Sequence, residues 1–306
     1  MSITPQLLLF MSIDIVGSTA YKNSTQRDKS DIHPWRPTIQ SFFIDFPIDL
    51  VKTNDVNKPK LNCSDFAPPK IWKFLGDEIV FYVELKHSSH LSYYLENTKK
   101  LMNIFCVENF KEQKLKLKGA AWVSGFPVAN TMMKFSIDKR ITTDYFGRSI
   151  DAGFRLAKIA TAQKFVLSIQ TAWMLSQISS DIDIYYDGRT HLKGILNGDQ
   201  YPIFWILSDT KAANELDLLH IKPSGKEIIA EFGRRYIEDN GWGLPFIEGD
   251  KAFSYKDPDY EDRLARASSL DEKSIDDEGI DFTGNQSVIL SSQDIIDAVE
   301  ISVQKK

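Results

Sequence analysis

Two aspartates stand where a polypeptide could hold hard cations. Asp14 closes a run that opens with Leu7-Leu8-Leu9-Phe10-Met11 and leads into Gly17-Ser18-Thr19, a glycine and two hydroxyl residues that suit a strand-to-helix turn. Asp77 follows Gly76 between two apolar, β-prone runs, and a Gly-Asp dipeptide turns a hairpin tightly. If those strands are neighbours, both carboxylates meet at one end of a sheet, beside the backbone N–H groups of residues 15 to 19. Magnesium or manganese takes oxygen ligands, and phosphates take N–H donors at a helix start. Each turn alone has a plainer reading, a tight turn for Gly76-Asp77 and a helix cap for Asp14. Together they point to a metal-dependent phosphate site, where two metals could activate a ribose 3′-hydroxyl and neutralise charge on an α-phosphate.

The elements that must position these residues follow from periodicity. Residues 7–16 are β-rich, and residues 26–34 are polar and expected to be loop. Ile39, Phe42, Phe43, Phe46 and Leu50 recur at three- and four-residue spacing, which predicts an amphipathic helix over residues 35–51, interrupted near Pro47. A hairpin is expected over residues 71–85, a helix over 91–109, a strand over 115–124, a turn at 144–147 and a helix over 149–161. A strand over 164–169, a helix over 171–178 and strands over 191–193 and 201–207 complete the pattern. Strands and helices alternate while hairpins are implied, so the expected class is α+β: an antiparallel-rich central sheet with flanking helices. A soft boundary falls near residue 212. Residues 1–212 would form the catalytic domain and 213–306 a C-terminal extension, helical over 225–238, with an acidic, aromatic-poor stretch over 257–284 expected to be disordered.

Composition narrows the classes. The chain has 306 residues, 42% of them hydrophobic, enough for a large core. Its net charge of −5 offers no general positive field, so neither nucleic-acid nor membrane binding is expected and any phosphate site must be local. The two cysteines, Cys63 and Cys106, form no CxxC and no zinc-ligand spacing, which fits a reducing cytoplasm. The apolar opening is too short to cross a bilayer and lacks the basic flank of a signal peptide.

The residues also resemble a known family. Residues 10–19, Phe-Met-Ser-Ile-Asp-Ile-Val-Gly-Ser-Thr, look like the first metal motif of class III adenylate and guanylate cyclases. Lys73-Phe74-Leu75-Gly76-Asp77 resembles their second, and Asp144-Tyr145-Phe146-Gly147 with Asp151 and Arg155 resembles their nucleotide-binding turn and helix. Leu192-Lys193-Gly194 is similar to the late strand whose lysine meets the triphosphate. These motifs fall in family order across residues 5 to 210.

The resemblance implies a head-to-tail homodimer with active sites at the interface. Asp14, Asp77 and the Ile15 carbonyl of one subunit would hold two divalent metals, Mn²⁺ or Mg²⁺. Gly17, Ser18 and Thr19 would line the phosphate turn, and Arg155 and Lys193 of the other subunit would stabilise charge on the phosphates. Lys73 and Asp144 stand where adenylate cyclases read the adenine edge, which taken literally predicts ATP. Asp151 replaces the family's ribose-contacting asparagine, and an ionised carboxylate cannot donate a hydrogen bond there. The insert between Asp14 and Asp77 is longer than usual.

Trp72 to Glu78, following the aromatic Phe42-Phe43-Ile44-Asp45-Phe46-Pro47 segment, resembles the bacterial Pycsar antiphage cyclases, which make cyclic UMP or cyclic CMP. That likeness makes UTP the expected substrate, with Tyr21, Arg36 and Tyr145 as candidates for narrowing or reading a pyrimidine site. The product would be a second messenger read by a separate effector protein. Two other readings stand beside it: an adenylate cyclase, and an inactive nucleotide-binding sensor, for which Asp151 is the main argument.

Overall fold

A computed structural model describes residues 4–25, 33–137, 140–209, 211–272, 275–276 and 279–280. Its plan is set by the first strand, β1 (Gln6–Val16), whose side chains alternate between two sheet faces. The chain continues through α1 (Ser18–Thr25), α2 (Arg36–Val56), β2 (Lys70–Leu75), β3 (Glu78–Glu84), α3 (His90–Glu108) and β4 (Lys116–Phe126). Next come β5 (Asn130–Ile137), β6 (Arg140–Gly147), α4 (Arg148–Ile159), β7 (Lys164–Leu167), α5 (Ile169–Gln177), β8 (Tyr185–His191) and β9 (Gln200–Leu207). Three helices follow, α6 (Lys211–Leu218), α7 (Lys226–Asp239) and α8 (Tyr260–Glu272), and then the short pair β10 (Ile275–Asp276) and β11 (Gly279–Ile280).

Seven strands form one sheet in the order β2-β3-β1-β4-β7-β9-β8. All neighbours are antiparallel except β4 and β7. This is the expected α+β architecture. On one face Leu7, Leu9, Met11, Ile13 and Ile15 pack with Phe42, Phe46 and Leu50 of α2 and Leu91, Leu95 and Phe105 of α3. On the other face Leu8 and Phe10 pack with Val80, Trp122, Phe126, Tyr145 and Ile150. There α4 lies close, because Gly153 sets no side chain against the Trp122 indole.

Several expectations need correcting. α2 runs unbroken through Pro47 to Val56. Proline removes one helix hydrogen bond and costs about 3 kcal/mol in a helix interior, but the fully buried Phe42, Phe46 and Leu50 anchor both halves to the same core. Residues 144–147 are not a free turn but the end of β6, which pairs with β5 along its length up to Asn130 opposite Gly147. The strand expected over 191–193 ends at His191, so Lys193 lies beyond it. Of the stretch expected to be disordered, residues 260–272 are helical. The Tyr260 ring lies tilted against Phe246 with centroids 5.5 Å apart, and Lys256 pairs with Glu261 at 2.6 Å, which gives that helix a seat. Most of the loop expected over residues 26–34 and everything from residue 281 onward lie outside the described residues.

Residues beyond 212 join the same core. Ile229, Tyr236, Ile237, Trp242, Ile247 and Phe253 belong to the cluster built on the helix-covered face. The buried Asp250 carboxylate accepts the backbone N–H groups of Ser88 (2.8 Å) and Ala252 (2.8 Å), tying this segment to the start of α3. Among the described residues no helix is long and apolar enough to cross a membrane.

Candidate functional site

The second face of β1 changes character along its length. Leu8 and Phe10 are apolar, Ser12 is polar and Asp14 is charged. In register, Asp14 stands between Glu78 of β3 and Lys118 of β4, so three charged side chains share one end of the sheet. The β2–β3 turn brings Asp77 there as well. Gly76 supplies its left-handed backbone (φ 69°) and Gly17 does the same where β1 passes into α1 (φ 83°), conformations that a Cβ would strain. Ile15 donates its N–H to the Asp77 carbonyl at 3.4 Å, and the buried Ser18 hydroxyl donates to the Asp77 carboxylate. Gly17 and Thr19 flank it on the exposed rim of the turn.

The two acids of this end that lie on the strands are used differently. Glu78 is engaged: Ser12 Oγ donates to it at 2.5 Å and Lys158 Nζ approaches at 3.7 Å. Asp14 is only half satisfied. Lys118 Nζ pairs with its Oδ2 at 3.1 Å, while Oδ1 is buried without a hydrogen-bond partner among the described residues. Burial pushes the Asp14 carboxyl above the usual carboxylate range; Lys118 pulls it back, and the nearby charge of Asp77 raises it again.

Two further pairs form elsewhere. Lys73 Nζ donates to Asp144 Oδ1 at 2.7 Å, joining β2 to β6, and lies 3.9 Å from the Trp72 ring centroid. The same Asp144 oxygen accepts the Tyr145 N–H at 3.0 Å. On α4, Asp151 and Arg155 lie on the exposed side, and Arg155 Nε donates to the Lys193 carbonyl at 3.1 Å. Among the described residues no hydrogen bond or ion pair joins these pairs to Asp14 or Asp77.

The candidates for contacting the base are scattered. Tyr145 is buried, its ring 5.2 Å from Phe10 and 5.1 Å from Trp72, so it is packed in the aromatic layer. Tyr21 shares a hydrogen bond with Thr38 at 3.0 Å, tying α1 to α2, and Arg36 is exposed at the first turn of α2. Among the described residues Tyr21 and Arg36 make no bond to Lys73 or Asp144, and Tyr145 meets Asp144 through its backbone N–H.

No protein-family model and no curated protein sequence matches the chain. Solved structures do. The adenylyl cyclase CyaB from P. aeruginosa matches over 66% of this chain and 94% of its own, at 14% identity and a TM-score of 0.50. This chain shares its fold with a cyclase. The guanylate cyclase domain of RhGC from Catenaria anguillulae, solved with GTP, matches over 67% of this chain and 98% of its own, at 11% identity and a TM-score of 0.47.

The donor set within this cyclase fold suits a hard divalent cation. No three His, Cys, Asp or Glu side chains cluster as a metal set among the described residues, so a metal would rely on the two carboxylates, a backbone oxygen and its substrate. Two carboxylates with few further protein ligands are the usual provision for a metal that arrives with phosphate. The buried, unpartnered Oδ1 of Asp14 is the atom that such an ion would satisfy.

Sequence reasoning missed Lys118, and it assigned no role to Glu78 or Ser12. Lys118 alternates with Leu115 and Leu117, which marks it as facing away from the helix-covered core. Its opposition to Asp14 depends on strand register, which no local pattern states.

Proposed function

We propose that the chain is a nucleotide cyclase of the class III type, converting UTP to 3′,5′-cyclic UMP and pyrophosphate. The observation that carries the reaction class is the Asp14–Asp77 end of the sheet, with its unpartnered buried carboxylate oxygen, in a fold shared with a cyclase. Asp14, Asp77 and the Ile15 carbonyl are the proposed holders of two divalent ions, Mn²⁺ or Mg²⁺. Such ions, when bound, ease loss of the ribose 3′-hydroxyl proton and offset charge at the α-phosphate.

The chain's own residues have three tasks. The turn through Gly17, Ser18 and Thr19 offers backbone N–H groups at the start of α1 to the β- and γ-phosphates. Arg155 and Lys193 stabilise charge that accumulates on the phosphates as the 3′-oxygen bonds to the α-phosphorus and the bond to pyrophosphate breaks. The hydroxyl proton leaves with the pyrophosphate in the overall balance, and no protein nucleophile takes part. Arg155 is bonded to Lys193 and to neither aspartate, which, with the cyclase resemblance, supports a complete site that draws Arg155 and Lys193 from a second copy of the chain, in a homodimer.

For the base, Lys73 is a donor and Asp144 an acceptor, already held together and backed by Trp72. That pair matches the O4 acceptor and N3–H donor of uracil. Trp72 is itself crowded by Tyr145 and Phe154, at 5.1 Å and 5.7 Å, which favours a small ring. With the Pycsar resemblance, this supports a role in antiphage defence, the cyclic nucleotide acting on a separate effector. The same Lys73–Asp144 pair also fits the N1 and N6 positions of adenine, so cyclic AMP is the second reading.

The test incubates purified protein and Mn²⁺ with ATP, GTP, CTP and UTP separately and identifies products by mass spectrometry. Cyclic UMP is the expected product. Cyclic AMP alone overturns the pyrimidine reading, and thermal stabilisation by a triphosphate without any cyclic product overturns turnover in favour of a sensor.

A further inference from the structure

Lys118 occupies a position that the proposed chemistry does not use. It rises from β4 directly opposite Asp14, and its ammonium sits 3.1 Å from Asp14 Oδ2. Both side chains are mostly buried, 20% exposed for Lys118 and 19% for Asp14, so the two charges depend on one another rather than on water. The other nearby cation behaves differently: Lys158 is 69% exposed and turned to Glu78. Asp14 therefore already carries a positive partner on one oxygen, while the second is buried without a hydrogen-bond partner among the described residues.

A divalent ion bound to Asp14 would place a like charge beside that ammonium in a partly dry site, and such contacts are strongly unfavourable. A triphosphate removes the conflict. It brings negative charge, and the flexible lysine stem allows the ammonium to turn from Asp14 to a phosphate oxygen. Resting on the cyclase reading above, we infer that Lys118 is a built-in counter-cation of the metal site. It holds Asp14 in the free protein and yields only to metal and triphosphate together, so metal enters with nucleotide and not ahead of it.

The experiment follows Mn²⁺ binding by electron paramagnetic resonance, with no turnover required. Wild type, Lys118→Met and Lys118→Arg are compared without nucleotide and with α,β-methylene-UTP or α,β-methylene-ATP, with Lys118→Gln as a second neutral variant should the methionine form fail to fold. Without nucleotide, Lys118→Met is expected to bind Mn²⁺ at least about tenfold more tightly than wild type, through loss of the competing charge, while Lys118→Arg stays weak. Adding an analogue should tighten Mn²⁺ binding more in wild type than in Lys118→Met. Mn²⁺ binding that Asp77→Asn abolishes, but that is equal in wild type and Lys118→Met, overturns this inference and leaves the metal site standing. Mn²⁺ binding unaffected by Asp77→Asn overturns both.

Discussion

The two faces of β1 are built from the same strand and carry opposite kinds of residue. Toward α2 and α3 every second position is apolar and buried, from Leu7 through Ile15. Away from them, the apolar layer of Leu8 and Phe10 gives way to Ser12 and then Asp14. A period of two makes this possible, since each face has its own sequence of residues. The first face holds the sheet to its helices; the second leaves one end polar and partly unsatisfied. Substitutions on the first face should therefore cost stability and leave chemistry intact in whatever folds, and substitutions at the charged end of the second should do the reverse.

The sharpest break would come at the charged end. Asp77→Asn should lower kcat by about a thousandfold or more through loss of a metal ligand, with little change in melting temperature. A melting temperature that falls in step with activity would place Asp77 with the core instead. On the opposite face, Phe46→Ala should destabilise the fold by about 3–5 kcal/mol. Phe46 is fully buried with its ring 5.5 Å from Phe105. Chemical denaturation measures that cost, and the specific activity of the folded fraction should be retained.

A pH dependence sharpens the contrast further. His90, buried at the start of α3, is held down to about 4 from 6.5, first by burial and then by His87 beside it. Above pH 6.5 the ring is neutral in both folded and unfolded chains. As pH falls from 6.5 toward 4 the unfolded chain takes up a proton that the folded one refuses, so stability is lost across that window. The loss is on the order of 3 kcal/mol. Denaturation at a series of pH values should show this slope in wild type, and His90→Leu should flatten it. The smallest effect is expected for Lys73→Ala, about ten- to a hundredfold in kcat/KM with the base preference relaxed. An unchanged preference among triphosphates would remove Lys73 from base reading.

Local signals made much of this legible. The β-rich run of residues 7–16, the Gly17-Ser18-Thr19 turn after Asp14 and the glycine beside Asp77 announced β1, the β2–β3 hairpin and the candidate acids. Long-range packing was less visible. Pro47 argued for a break in α2 because its missing N–H is a local fact, whereas the burial of Phe42, Phe46 and Leu50 that outweighs it is tertiary. Residues 144–147 looked like a turn because the pairing of β6 with β5 is not encoded in their own types. Tyr145 looked free to meet a base and is instead packed against Phe10 and Trp72. The Lys118–Asp14 pair needed the register of β1 on β4, where a shift of one residue would have put the lysine on the other face.

In the proposed dimer the carboxylates at the end of β1 act with Arg155 of a second copy of the chain. Mixing Asp77→Asn with Arg155→Ala tests it most directly, because each variant alone lacks one half of the proposed site. If the subunits exchange, random pairing leaves one intact site in half of the dimers, so about a quarter of wild-type cyclase activity should return. Two inactive variants that stay inactive after demonstrated exchange of subunits would contradict the claim.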